Sequence, residues 1–155
     1  MVLAILQARM SSSRLPGKVM KPILGAPMLE RQIERLHNSK LINQLTIATS
    51  TELSDNVIGD FCREKQISCS RGSLDDVLTR FFDVAKRLNP EHIVRLTADC
   101  PLTDPSLIDE VIRHHLEGEH DYTSNTIKRG FPKGLDAEIF KYTCLEEAFL
   151  EAKSP

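Results

Sequence analysis

The sequence predicts an α/β protein with an open, doubly wound, mostly parallel sheet of Rossmann-like type, and three observations predict it. Short runs rich in Val, Ile and Leu recur along the chain, amphipathic helical patterns separate them, and each run ends in small or polar residues. Strands buried on both faces read as near-continuous apolar runs, and their alternation with helices gives right-handed βαβ units.

The first run, Val2 to Leu6, is too short for a signal-peptide core or a membrane span and leads straight into a charged loop, so it is a buried first strand. Leu45 to Ala48 and His92 to Leu96 are the next two strands. Between them, Met28, Ile33 and Leu36 fall on one helical face, as do Val57, Ile58 and Phe61, and then Val77, Leu78, Phe81, Val84, Ala85 and Leu88. Pro27, Ser54 and Ser73 are the expected first-turn or cap residues. After Pro105, the residues Leu107, Ile108, Val111 and Ile112 predict another helix. An irregular stretch from Glu117 to Lys133 follows, then a strand over Ala137 to Phe140 and a helix over Leu145 to Ala152. No closing strand is evident before Lys153, Ser154 and Pro155, so residues 1–155 are expected to form one domain lacking its C-terminal part.

With 155 residues, 41% apolar and 27% charged, the chain fits one globular domain with a real core. A net charge of −2 gives no general attraction to nucleic acid or anionic lipid, which argues against both as partners. Any phosphate binding must come from locally placed cations. Cys62, Cys69, Cys100 and Cys144 are widely spaced with no CxxC pair, and read as small core residues in a reducing cytoplasm.

In open α/β sheets, ligands sit at the carboxyl ends of the strands, here the loops after Leu6, Ala48, Ser70 and Leu96. The first of these, Gln7 to Pro22, holds Arg9, Arg14, Lys18 and Lys21, the serines Ser11 to Ser13, and Gly17. Guanidinium forks, an ammonium and exposed amides at such a place can bind a triphosphate and stabilise a pyrophosphate leaving group. The plainer alternative is a solvated basic connection. The loop has neither P-loop spacing nor a GxGxxG, but its Leu15-Pro16-Gly17-Lys18 segment suits a chain that wraps around a ligand.

Asp99 follows the third strand directly, where Pro101 discourages continuation of regular structure. Beside a triphosphate, such a carboxylate is placed to hold Mg²⁺. Its alternative use is a turn or cap, but Asp104, just before Pro105, fits that task better. Asp136, after a turn containing Gly134, is a weaker second carboxylate and a candidate for sugar binding. The segment Ser70 to Leu78 either starts a helix, with Ser73 as cap and Asp75 and Asp76 facing its dipole, or lines a base pocket through Arg71, Gly72 and Ser73. Thr49 to Thr51 form a turn or touch a base or ribose. His114 and His115 are expected on a polar, solvated helix face, and Asn125, Lys128, Arg129 and Lys133 on a loop that meets an acceptor.

The run Ala8-Arg9-Met10-Ser11-Ser12-Ser13-Arg14-Leu15-Pro16-Gly17-Lys18 closely resembles the ARxxSxRLPGK loop of the CMP-sugar synthetases that act on 3-deoxy-manno-octulosonate and acylneuraminate. From Met1 to about Phe140 the sequence is more similar still to the spore coat polysaccharide biosynthesis protein F family of cytidylyltransferases, in which RGSxDDVL recurs. The resemblance implies a nucleotide-diphospho-sugar transferase fold and a Mg²⁺-dependent transfer of CMP from CTP to a sugar in surface polysaccharide biosynthesis. By the same resemblance Arg9, Arg14 and Lys18 contact the phosphates, Ala8 approaches the base, Ser12 or Ser13 assists, and Asp99 binds the metal. The catalytic set is then Arg14, Lys18 and Asp99, the partners are CTP and a sugar acceptor, and a homodimer is a candidate assembly. A nucleotidyltransferase using another nucleoside triphosphate, and a noncatalytic nucleotide-sugar-binding module, remain the alternatives.

Overall fold

A computed structural model describes residues 1–153; Ser154 and Pro155 lie outside the described residues. The sheet has six strands. They are β1 (Val2–Gln7), β4 (Gln44–Ser50), β5 (Cys69–Gly72), β6 (His92–Thr97), β7 (Tyr122–Ser124) and β8 (Glu138–Lys141), in the order β5-β4-β1-β6-β8-β7. The first four are parallel; β8 runs antiparallel to β6, and β7 antiparallel to β8. The expected doubly wound, mostly parallel architecture is therefore present, with an antiparallel pair at one edge.

The five residues after Met1 show why the first strand is apolar throughout. Side chains alternate across a strand, so Val2, Ala4 and Leu6 face one layer while Leu3 and Ile5 face the other. The first layer contains α1 (Met28–Leu36), α2 (Asn56–Glu64) and α4 (Pro105–Glu117), contributing Leu29, Ile33, Ile58, Phe61, Ile108 and Ile112. The second contains α3 (Val77–Leu88) and α5 (Tyr142–Glu151), with Phe81, Phe82, Val84 and Leu145. Phe82 stacks on Phe149 at 3.9 Å between ring centroids, joining α3 to α5. A small hairpin, β2 (Pro22–Ile23) with β3 (Ala26–Pro27), closes the first loop through Leu24 and Gly25, both at positive φ (49° and 82°) as a type I′ turn requires.

Several local expectations need correction. The inward face of α2 keeps Ile58 and Phe61 but takes Cys62 in place of Val57, which is 41% exposed. Ser54 lies in a short 3-10 turn, Leu53–Asp55, ahead of α2, and Asp55 takes the cap position. Asp76, not Ser73, caps α3 by accepting from the Thr79 amide at 2.8 Å. Asp104 caps α4, accepting from Ser106 N at 2.8 Å, as expected. Only Cys62 of the four cysteines is buried; the others are half-buried. His115 is fully buried, because Ile108, Val111, Ile112 and His115 form one inward stripe of α4, and only His114 faces outward. The strand β7 had no counterpart among the expected elements, and β5 was marked only by the strand end expected at Ser70. No helix among the described residues is long and apolar enough to cross a membrane.

Candidate active site

The chain runs from β1 outward through β4 to β5, then returns across the other face to lay β6 against the free side of β1. This reversal opens a crevice at the carboxyl ends of β1 and β6, where doubly wound sheets place their ligands. A cavity of about 330 Å³ occupies it. Its walls bring together Arg9, Ser12, Ser13, Arg14 and Lys18 from the first loop and Asp99 from the loop after β6. Residues 81 positions apart thus meet directly, with Lys18 Nζ donating to Asp99 Oδ2 at 2.6 Å.

The first loop is shaped by backbone bonds. The Ala8 amide donates to Ala48 O at 3.0 Å, extending the β1–β4 ladder, and the Ala8 side chain is buried beneath the site. The Met10 carbonyl accepts from Ser12 N and Gly17 N, so residues 12–17 form a closed lobe. Gly17 turns the chain at φ 70°, and a 3-10 turn over Lys18–Met20 delivers Lys18 into the cavity. The described ion pairs leave Arg9 and Arg14 without a carboxylate partner, whereas Lys18 is held by Asp99.

Asp99 is fixed from below by a residue the sequence did not point to. Gln32, fully buried on α1, accepts from Cys100 N at 3.2 Å and donates to Thr97 O at 2.9 Å, pinning both flanks of the Ala98–Asp99 turn. Burial pushes the Asp99 carboxyl up, but hydrogen bonds from Lys18 and Thr97 and the Lys18 charge outweigh it and hold the group below its ordinary value. Asp99 is therefore an anion at neutral pH. Arg95, Thr97 and Gln7 also line the cavity and were missed; Arg95 is held by Glu138 through two contacts of 3.0 and 3.1 Å.

Arg71, Gly72 and Ser73 stand at the same end of the sheet but do not line this cavity. The Arg71 guanidinium donates to Ser50 O at 2.8 Å and Glu52 O at 3.0 Å, tying the loop after β4 to β5. Gly72 lies under the stem of Arg80, where a Cβ would meet Arg80 Cγ at 3.4 Å. Arg80 is 2% exposed and donates to Ser73 O and to Leu74 O. Burial and the nearby Arg9 charge lower its pKa. Thr49 and Ser50 are not a turn but the last residues of β4, paired with Arg71 and Gly72, and the Thr51 amide extends that ladder by donating to Gly72 O at 2.9 Å.

A second cavity of about 460 Å³ adjoins the first and shares Asp99 with it. Leu102, Lys133 and Leu135 are among its lining residues. Asp136 does not enter either cavity wall; Arg129 holds it by two contacts of 3.1 and 3.2 Å. Asn125 is committed to the loop itself, donating to Leu135 O and accepting from Ala137 N. Among the described residues, no group of three or more His, Cys, Asp or Glu side chains forms a potential metal site. One carboxylate is nonetheless a fitting donor set for Mg²⁺ that arrives with a polyphosphate, since such an ion takes one or two carboxylates and completes its shell with phosphate oxygens and water.

Comparison with known proteins agrees with the loop and the fold. The cytidylyltransferase family profile matches residues 3–141. The spore coat polysaccharide biosynthesis protein SpsF of Bacillus subtilis is 38% identical over 126 residues, 79% of this chain and 52% of its own. The 3-deoxy-manno-octulosonate cytidylyltransferase of Geobacter sulfurreducens is 34% identical over 112 residues, 72% of this chain and 44% of its own. The chain thus spans about half the length of these relatives. A solved cytidylyltransferase from Leptospira borgpetersenii superposes with a TM-score of 0.93 at 35% identity, covering 99% of this chain and 66% of that one. With a switch-point cavity walled by the RLPGK loop, and a family match running from β1 to the last residue of β8, the chain belongs to the cytidylyltransferase family.

Proposed function

We propose that residues 1–155 belong to one nucleotidyltransferase domain that binds CTP across the first loop and transfers CMP to a sugar hydroxyl, releasing pyrophosphate, in surface polysaccharide biosynthesis. The observation that carries this is the convergence of Arg9, Arg14, Lys18 and Asp99 on one crevice at the switch point, with Lys18 and Asp99 in contact. Arg9 and Arg14, uncommitted to carboxylates, supply bidentate donors for phosphate oxygens. Ser12 and Ser13 add hydroxyls. Lys18 exchanges Asp99 for the β- and γ-phosphates, which frees the Asp99 carboxylate.

The sugar hydroxyl enters from the second cavity, which meets the first at Asp99. Its oxygen bonds to the α-phosphorus as the bond to the bridging oxygen of pyrophosphate breaks, and the hydroxyl proton is lost to solvent at the cavity mouth. Arg14 and Lys18 stabilise the charge growing on the leaving pyrophosphate, so positioning and electrostatics provide the catalysis. Mg²⁺, held by Asp99 and phosphate oxygens, would supply further charge neutralisation. The base specificity for cytidine is supported by family membership, with Ala8 near the base and Arg71, Gly72 and Ser73 shaping the neighbouring wall. We assign Lys133, in the wall of the second cavity, to the acceptor side, with Asp136 behind it as a sugar-binding candidate paired to Arg129.

A thermal-shift panel of CTP, UTP, GTP and ATP with Mg²⁺, followed by a pyrophosphate-release assay across acidic, amino and neutral sugars, tests the proposal. CTP is expected to stabilise the protein most, and one sugar class to release pyrophosphate. Equal response to all four nucleotides, or none, would remove the cytidylyltransferase assignment for this chain.

A further inference from the structure

Met10 is the knot of the first loop. Its carbonyl closes the lobe carrying Ser12, Ser13 and Arg14 by accepting from Ser12 N at 2.9 Å and Gly17 N at 2.8 Å. The lobe is tight there, since a Cβ at Gly17 would lie 3.1 Å from Met10 Cε. The Met10 amide in turn donates to Asp55 Oδ1 at 2.7 Å, across 45 positions of sequence.

Asp55 is an unusual cap residue. It occupies the N-cap of α2 and is 0% exposed, yet its side chain accepts from none of the helix's own amides. One carboxylate oxygen is committed to Met10, and the other accepts from the Ser50 hydroxyl and the Ser50 amide at the end of β4. A carboxylate placed where it would ordinarily cap the helix is here diverted to a distant loop. Through it, a loop carrying four cations, Arg9, Arg14, Lys18 and Lys21, is tied to the rigid sheet. Asp55 itself does not line the cavity.

We propose that Asp55 is a positioning residue: by fixing the Met10 amide it sets how the Ser12–Gly17 lobe, with Arg14 and the adjoining Lys18, is presented to a bound polyphosphate. This rests on the nucleotide-binding reading of the crevice. Holding the loop in place before the ligand arrives removes an ordering penalty from binding. A purely structural role would change stability and affinity in step, whereas a positioning role changes affinity beyond what stability accounts for.

Calorimetric titration of inorganic tripolyphosphate, which probes the phosphate grip without the base, separates the two. Asp55→Ala is expected to weaken binding about tenfold or more, the effect of losing one charge-assisted hydrogen bond at the loop's anchor. Asp55→Asn keeps an oxygen for the Met10 amide and should recover most of it. Ser50→Ala, which removes the hydroxyl from the other oxygen and from the Glu52 amide but leaves the Met10 bond in place, should leave affinity within about twofold. If Asp55→Ala does not fold, hydrogen exchange decides: the Met10 amide should be protected in wild type and Asp55→Asn, and the Arg14 amide should exchange freely. Wild-type affinity in Asp55→Ala, parallel loss in Ser50→Ala, or a Met10 amide exchanging as fast as that of Arg14 would overturn the positioning role alone. Wild-type protein that ignores tripolyphosphate would overturn the nucleotide reading and this role with it.

Discussion

At one end of β6, His92 faces His115, Nδ1 to Nε2 at 3.1 Å, and His115 passes its other nitrogen to Thr123 Oγ1 at 3.1 Å. At the other end, Thr97 leads into Asp99, whose carboxylate is half-exposed and held by Lys18. Burial, followed by the His92 and His120 charges, pushes the His115 imidazole down to about 4, so this end is neutral at pH 7. The Asp99 end is instead an ion pair. A buried imidazole facing a second imidazole is tolerated in its neutral, hydrogen-bonded form, while a charge kept at a crevice with one exchangeable partner remains available to a ligand. One strand therefore joins a fixed structural end to a responsive chemical end.

Breaking the chemical end should give the largest effect. Lys18→Ala and Asp99→Ala are each expected to lower turnover by about 100-fold or more, the scale of losing one transition-state electrostatic contact. Thermal midpoints should move by only a few degrees, because half-exposed ion pairs contribute roughly 0–1 kcal/mol. Pyrophosphate release with melting curves on the same samples checks both; wild-type rates would detach these residues from the mechanism.

The structural end should respond to acid. The folded His115 value lies below the ordinary 6.5, so the unfolded chain binds more protons between about 6.5 and about 4, and stability falls as pH drops through that window. At about 1.4 kcal/mol per unit the ceiling is about 3 kcal/mol. Urea unfolding at several pH values should show this slope in wild type and a flatter one in His115→Gln. Identical slopes would mean the pair is not the titrating element.

Gln32 sharpens the comparison because it is a neutral, buried group serving the charged end. Gln32→Leu strands the Cys100 amide and is expected to destabilise the protein by about 1–3 kcal/mol. Turnover, measured at a temperature where the variant stays folded, should fall as well. Asp104→Ala marks the smallest step: losing the α4 cap is expected to take about 1 kcal/mol from stability and leave nucleotide affinity unchanged.

Much of this was legible in the sequence, and the parts that were not share a physical cause. The strands β1, β4 and β6 are buried on both faces and so spell themselves out as apolar runs. β5, Cys69-Ser70-Arg71-Gly72, and β7, Tyr122-Thr123-Ser124, sit at the two edges of the sheet, where polar residues are tolerated and no period survives. In the site, Arg9, Ser12, Ser13, Arg14 and Lys18 were visible because one continuous loop carries them. Gln32 and Asp55 were not, since their partners are backbone amides 68 and 45 positions away. His115 followed the i, i+3, i+4, i+7 stripe of Ile108, Val111 and Ile112, but its neighbour His114 made the pair read as a polar face. Arg71 had the right chemistry for a ligand contact, and only the fold shows its guanidinium bound to two carbonyls.

The most direct measurement is isothermal titration of CTP with Mg²⁺ into the wild-type chain and into Arg14→Ala and Lys18→Ala. A cation grip at the switch point predicts saturable CTP binding in wild type, weakened by about tenfold or more in each variant, with melting curves that nearly superimpose. CTP affinity unchanged by both substitutions, or no CTP binding by the folded wild-type chain, would contradict it.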